Sequence, residues 1–272
     1  MPRCAVLGSP IAHSLSPVMH RTAYATLGLS DWTYDAFDVT EDRLPGFIAE
    51  LDASWRGLSL TMPLKRAALP LLDDLSPMAR TISSVNTVIV QDGALLGHNT
   101  DAPGAVAALD ERGVRKRRRV RIIGAGATAA SVLAALGSTG TERVELVARD
   151  PRRADETLRV ARAYGIDVDV TLLGGSFDAR TFAPVDLLVS TVPAAFFGTS
   201  ASQYVGPVGA VFDVLYDPWP TPLARAAKAA GVPLVSGLDL LAHQAALQVE
   251  LMTGHVVGAD VLRTAAQAEL EH

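Results

Sequence analysis

The stretch Arg119-Val120-Arg121-Ile122-Ile123-Gly124-Ala125-Gly126-Ala127-Thr128-Ala129 decides the fold. Apolar, β-branched residues run into a glycine turn, and the alanine-rich segment after it, to about Ser138, has the composition of a buried helix. The first glycine permits the tight turn. The second lets the backbone approach a pyrophosphate, whose charge is favoured at the helix N-terminus. A glycine turn that merely packs helix on strand is the plainer reading, but the strand before it and the helix after it favour a dinucleotide site.

Working outward, strands are expected at Arg3–Leu7, Asp31–Val39, Gly57–Thr61, Arg143–Ala148, Val168–Thr171, Val185–Ser190 and Gly209–Val214, alternating with helical patterns. Thr87–Gln91 and Ala94–Gly97 flank an Asp92-Gly93 hairpin signal. Ser16-Pro17 reads as a capped helix start, and an acidic-started helix is expected after Thr40. The alternation indicates an α/β protein with largely parallel strands. The pattern restarts after Arg115–Arg121, which divides the chain into a mixed, largely parallel α/β domain over 1–101 and a Rossmann-type domain over 102–236. Two helices follow from Gly237 to the end.

The chain has 272 residues, 49% hydrophobic and 19% charged, enough for one large domain or two ordinary ones. Its net charge of −5 gives no global attraction to nucleic acid or anionic lipid. Six of the seven residues Arg115–Arg121 are basic; a solvated loop entering a strand is the favoured reading, and phosphate contact the weaker one. No apolar run reaches the roughly 18 residues of a membrane span. Gly8, Pro10 and His13 break the short apolar run near the start, so no secretion signal is expected. The lone Cys4 excludes an intrachain disulfide, cytoplasm is the default compartment, and the six histidines show no metal-ligand spacing.

About twenty residues beyond the glycine turn, an acidic residue would hold a ribose 2′-hydroxyl, as in NAD sites. Here the expected strand ends in Ala148-Arg149-Asp150-Pro151-Arg152-Arg153. Arg149, with Arg152 and Arg153 one turn on, suits a 2′-phosphate and so NADP, although Asp150 could serve a hydroxyl instead.

A second cluster lies in the first domain. Ser14 and Ser16 at a helix start offer hydroxyls and free N–H groups to a carboxylate, or Ser16 is only an N-cap. Lys65 is one of three lysines among 24 basic residues. A chain that otherwise uses arginine keeps there an ammonium, which can give up a proton where a guanidinium cannot. Asn86, Asn99 and Asp101 fall at expected strand ends, where such residues are commonly turn formers.

Read together, Gly8-Ser9-Pro10-Ile11-Ala12-His13-Ser14-Leu15-Ser16-Pro17, Leu60-Thr61-Met62-Pro63-Leu64-Lys65, Val85-Asn86-Thr87, Asn99-Thr100-Asp101-Ala102-Pro103-Gly104, the glycine turn, Asp213-Val214-Leu215-Tyr216-Asp217-Pro218 and Gly237–Gln244 resemble the shikimate dehydrogenases in order and spacing over essentially the whole chain. The resemblance implies NADPH-dependent reduction of 3-dehydroshikimate to shikimate, a step towards aromatic amino acids. It implies a substrate domain of 1–101 completed by the C-terminal helices 237–272, and an NADP-binding domain of 102–236. By motif, Lys65 and Asp101 would be catalytic, and Ser14, Ser16, Thr61, Asn86, Tyr216 and Gln244 would bind substrate. Gly124, Ala125, Gly126, Ala127, Thr128, Arg149, Arg152, Arg153, Thr191, Val214 and Gly237 would line the cofactor.

Ser59 stands where the commoner pattern has Asn, and Ala148 and Asp150 stand where Asn and Thr flank the arginine. An NAD-dependent quinate/shikimate dehydrogenase and a non-catalytic NADP-sensing regulator are the alternatives. The regulator need not keep Lys65 and Asp101 together. The partner expected is a small-molecule substrate, with no nucleic acid, membrane or metal; the oligomeric state is open, a homodimer included.

Overall fold

The structure, a computed structural model, describes residues 1–150, 154–173 and 182–271. Arg152 and Arg153 lie outside the described residues. The chain divides into two compact units, Met1–Gly104 with Leu241–His272, and Ala105–Leu240.

The first unit opens with β1 (Arg3–Gly8), α1 (Ser16–Thr26), β2 (Thr33–Asp38), α2 (Leu44–Ala49), β3 (Trp55–Leu60) and α3 (Leu64–Ala67). It continues through β4 (Asp74–Leu75), α4 (Pro77–Ile82), β5 (Thr87–Gln91), β6 (Ala94–His98) and the start of α5 (Asp101–Glu111). Its sheet runs in the order β2-β1-β3-β5-β6-β4. β1 pairs in parallel with β2 and β3, while β5 is antiparallel to β3 and β6, so the sheet is mixed as expected. Asp92 and Gly93, both at positive φ (52° and 82°), make the tight hairpin that the Asp-Gly pair signals. Leu7, Leu44, Trp55, Leu58, Leu64 and Val88 share one buried cluster. Each such side chain contributes about 1.5–3 kcal/mol on burial.

Two helix starts differ from the expectation. Ser16 is the first helical residue, preceded by Leu15 in the helical region with no side-chain cap. Ser14 instead accepts the Ser16 N–H at 3.3 Å, because a hydroxyl two residues upstream reaches that donor. α2 has no acidic residue in its first turn; Glu41 and Asp42 lie in the turn before it.

In the second unit come β7 (Arg119–Ile123), α6 (Ala127–Gly137), β8 (Arg143–Ala148), α7 (Asp155–Ala163), β9 (Asp167–Leu172) and β10 (Leu187–Ser190). α8 (Ala201–Tyr204), β11 (Val211–Asp213), α9 (Pro222–Ala229) and β12 (Leu234–Ser236) follow. The order β12-β11-β10-β7-β8-β9 is parallel throughout. Chain order therefore reverses between β7 and β10, the place where open α/β sheets bind ligands beyond the strand carboxyl ends. β12 and β4 were not expected; strands of three and two residues are too short to show a period.

Four of the six charges of the basic run are answered within the unit. Lys116 pairs with Asp186 at 3.2 Å, Arg117 with Asp110 at 2.6 Å, and Arg118 with Glu142. The fully buried Arg121 meets Glu145 at 2.8 Å, the Ala183 carbonyl at 2.7 Å and the Phe182 ring at 3.7 Å.

The last helices are α10 (Gly237–Thr253) and α11 (Ala259–Leu270), as expected without a strand. α10 begins with a reciprocal cap: Ser236 N–H donates to Asp239 Oδ2 at 2.9 Å, and Asp239 N–H to Ser236 Oγ at 3.2 Å. Burial alone would raise the Asp239 pKa, but Arg112 at 2.7 Å and Ser236 outweigh it and hold the carboxyl low. No helix among the described residues is long and apolar enough to cross a membrane.

Candidate active site

Lys65 lies on α3, just after Thr61-Met62-Pro63, and Asp101 begins α5. Lys65 Nζ donates to Asp101 Oδ2 at 2.6 Å, with the side chains 25% and 16% exposed. The carboxylate's other oxygen accepts from Asn86 Nδ2 at 2.9 Å. Asn86 also donates to Thr100 Oγ1 at 2.9 Å and approaches Gln244 Oε1 at 3.4 Å. Its own carbonyl accepts the Thr100 N–H at 2.7 Å and the Thr87 hydroxyl at 3.0 Å. These bonds fix both the flip of the amide and the plane of the carboxylate.

Three backbone features hold the cluster together. The Lys65 carbonyl accepts the Val85 N–H at 2.8 Å, which ties α3 to the segment before Asn86. The Thr61 carbonyl accepts the Leu64 N–H at 2.8 Å, placing Thr61 one turn before Lys65. A Cβ on Gly104 would stand 2.9 Å from the Gln244 backbone nitrogen, so only glycine lets α5 and α10 approach this closely.

Ser14 and Ser16 sit at the start of α1, and Ser16 is 8% exposed. Tyr34, fully buried on β2, donates its hydroxyl to Ser59 Oγ at 2.6 Å. Thus Lys65, Asn86, Asp101 and Gln244 meet directly, whereas Ser14 and Ser16 share no hydrogen bond with them. Tyr216 belongs to the second unit, half-buried after β11; burial and the neighbouring Asp217 push its phenol pKa up. His20, on the buried face of α1, is wholly buried, and desolvation lowers its pKa from 6.5 to about 3.

In the second unit, Gly124 adopts φ +107°, and a Cβ there would lie 2.2 Å from Thr191 Oγ1. Thr191 Oγ1 in turn donates to the Ile123 carbonyl at 3.1 Å. A cavity of about 450 Å³ opens beside this turn, lined by Gly124, Ala125, Gly126, Arg149, Asp150 and Thr191 among others. Ala127 and Thr128 form the first turn of α6, which points its free N–H groups outward from Gly126. Val214 and Gly237 meet elsewhere in the unit: the Gly237 N–H donates to Leu215 O at 3.1 Å, beside the Val214 carbonyl. No group of three His, Cys, Asp or Glu side chains among the described residues is placed to hold a metal.

Motif reading gave no role in this site to Tyr34 or Gln248, nor to Thr87 within its Val85-Asn86-Thr87 motif, although each supports it. Gln248 follows Gln244 by one helical turn and therefore shares its face, a spacing the sequence shows.

A parallel sheet with a glycine turn opening a helix is the architecture of dinucleotide-binding domains, and here it shares a chain with a second α/β unit that pairs an ammonium with a carboxylate, an arrangement that fits a nicotinamide-dependent dehydrogenase. Residues 6–88 match the shikimate dehydrogenase substrate binding domain, and residues 237–267 the shikimate 5′-dehydrogenase C-terminal domain. The shikimate dehydrogenase (NADP(+)) of Citrifermentans bemidjiense is 39% identical, over 97% of this chain and 94% of that protein. The crystal structure of Mycobacterium tuberculosis shikimate dehydrogenase superposes with a TM-score of 0.91 at 34% identity, covering 98% of this chain and 100% of that one. That of the Thermus thermophilus enzyme in complex with NADP(H) and shikimate gives 0.85 at 38% identity, covering 98% and 99%. The chain belongs to the shikimate dehydrogenase family.

Proposed function

We propose that this protein is an NADP-dependent shikimate dehydrogenase, reducing 3-dehydroshikimate reversibly to shikimate in aromatic amino acid biosynthesis. The observation that carries the reading is the Lys65–Asp101 pair at 2.6 Å with Asn86 on the second carboxylate oxygen. A chain that only sensed the cofactor would have no use for it.

The second unit fits the dinucleotide. The turn at Gly124 and Gly126 leaves room for backbone to approach a pyrophosphate, and the first turn of α6 offers N–H donors to its charge. Ala125, Ala127, Thr128, Thr191, Val214 and Gly237 complete its assigned lining. Arg149, exposed at the cavity wall, is assigned to the 2′-phosphate together with Arg152 and Arg153. Bound NADPH supplies a hydride to a ring ketone.

In the first unit, Ser14 and Ser16 are assigned to the substrate carboxylate, and Thr61, Asn86, Asp101 and Gln244 to ring hydroxyls. Tyr216 is assigned a further substrate contact. As the ketone is reduced, Lys65 stabilises the developing alkoxide as a fixed cation and delivers a proton from Nζ to that oxygen. Asp101 pairs with Lys65 Nζ at 2.6 Å and fixes its direction. Charge stabilisation is the main role of Lys65, and proton transfer the secondary one. The cytoplasm is the proposed setting, since a single cysteine forms no intrachain disulfide.

Asp150 lines the same cavity as Arg149, which keeps an NAD-using quinate/shikimate dehydrogenase as the second reading. Absorbance at the reduced-nicotinamide band, with shikimate or quinate crossed against NADP or NAD, tests both. Fastest turnover of shikimate with NADP is expected. A strong NAD preference overturns the assignment of Arg149, and no turnover in any combination overturns the activity.

A further inference from the structure

Gln248 is 2% exposed on α10, and its side-chain amide makes four polar contacts. Its Nε2 donates to the Asn86 backbone carbonyl and to Thr87 Oγ1, each at 3.0 Å. Its Oε1 accepts from Ser59 Oγ at 3.0 Å and meets His20 Nε2 at 3.3 Å. A backbone carbonyl can only accept, so the flip of this amide is fixed. His20 must then carry its proton on Nε2, because Oε1 has none to give.

The fixed amide sets a direction for every hydroxyl attached to it. Ser59 spends its proton on Oε1 and must accept from Tyr34, whose hydroxyl donates at 2.6 Å. On the other side, Thr87 accepts from Nε2 and spends its proton on Asn86 Oδ1 at 3.0 Å. That leaves the Asn86 amide nitrogen facing Asp101 Oδ1, whose partner oxygen holds Lys65. One sequence of donors and acceptors thus runs from Tyr34 to the Lys65–Asp101 pair with Gln248 at its centre, and the Asn86 flip is held jointly by Thr87 and by the Thr100 N–H at 2.7 Å.

We infer that Gln248 is a positioning residue for catalysis: it aligns Asn86 through Thr87, and through Asn86 the Asp101 carboxylate that directs Lys65. This rests on the proposed dehydrogenase reading. It also explains how Ser59 serves where the commoner pattern has Asn, since the shorter hydroxyl gains an acceptor in Oε1. Gln248 touches no expected ligand atom, so its effect passes wholly through other side chains.

Two shape-conserving variants test it, Gln248→Met and Thr87→Val, alone and combined, with kcat for shikimate oxidation and thermal stability read on each. Each single variant is expected to lose about tenfold in kcat while the KM for NADP holds, and the combination to lose no more than Gln248→Met. A side chain that only supports the fold would lower the melting temperature and leave kcat of the folded enzyme unchanged. Losses within about twofold in the single variants, or losses that multiply in the pair, overturn the inference. Should Gln248→Met not fold, Thr87→Val alone decides it by the same kcat criterion. Unmodified protein that oxidises no shikimate contradicts the functional reading instead. The Asn86 side-chain NH₂ resonances, recorded without ligands, then decide the alignment: a shift in both variants supports it, and unchanged resonances overturn it.

Discussion

Lys65, Asn86, Asp101 and Gln244 in the first unit answer one another's polar groups over 2.6–3.4 Å, while the second unit's cavity is shaped by the turn at Gly124 and Gly126 and the carboxyl ends of parallel strands. The first arrangement is built from side chains that must keep their donors and acceptors. The second is built from backbone that must keep clear of Cβ atoms. The first should therefore fail through exchanges of chemistry at constant shape, and the second through added volume at constant chemistry.

The largest effect belongs to the chemistry. Lys65→Met is expected to cost about 10²–10⁴ in turnover with little change in substrate affinity, read from kcat and KM separately. A loss in affinity alone would remove Lys65 from the reaction. Volume comes next. Gly124→Val places a Cβ 2.2 Å from Thr191 Oγ1 at a φ of +107°, and is expected to weaken NADP binding by at least about tenfold in equilibrium titrations.

Arg149→Ala should weaken NADP more than NAD by about tenfold, because one charge-assisted contact to a phosphate is lost. Equal weakening would place Arg149 outside 2′-phosphate recognition.

His20 sharpens the comparison from the side of stability. Its folded pKa of about 3 lies below the ordinary 6.5, so the unfolded chain binds the extra proton between these values. This contribution is intact above pH 6.5 and lost as pH falls towards 3, at up to about 1.4 kcal/mol per pH unit. Denaturant unfolding of His20→Leu from pH 7 to 4 should lack that component. Smallest of all, Arg118→Ala removes a solvent-exposed pair with Glu142 and should leave the denaturant midpoint essentially unchanged.

The same contrast explains what the sequence disclosed. A glycine turn is legible because φ above zero and backbone approach demand one residue type, and the flanking β7 and α6 carry their own local patterns. Asp92-Gly93 was legible for the same reason. The Lys65 cluster joins positions 65, 86, 101 and 244, which no local period connects. Only the order of motifs along the whole chain pointed to it. Tyr34 and Gln248 escaped, and Thr87 stood in its motif without a role, because a buried hydrogen bond leaves no mark on hydrophobic periodicity. Ser16 was misread as a cap because sequence does not show which of two nearby serines reaches the free N–H.

The division of labour is tested most directly by titrating shikimate and NADP separately into unmodified protein, Lys65→Met and Gly124→Val. Lys65→Met is expected to bind both ligands nearly as tightly as unmodified protein, and Gly124→Val to lose NADP while holding shikimate. Shikimate affinity lost in Gly124→Val while NADP affinity stays intact would contradict the account.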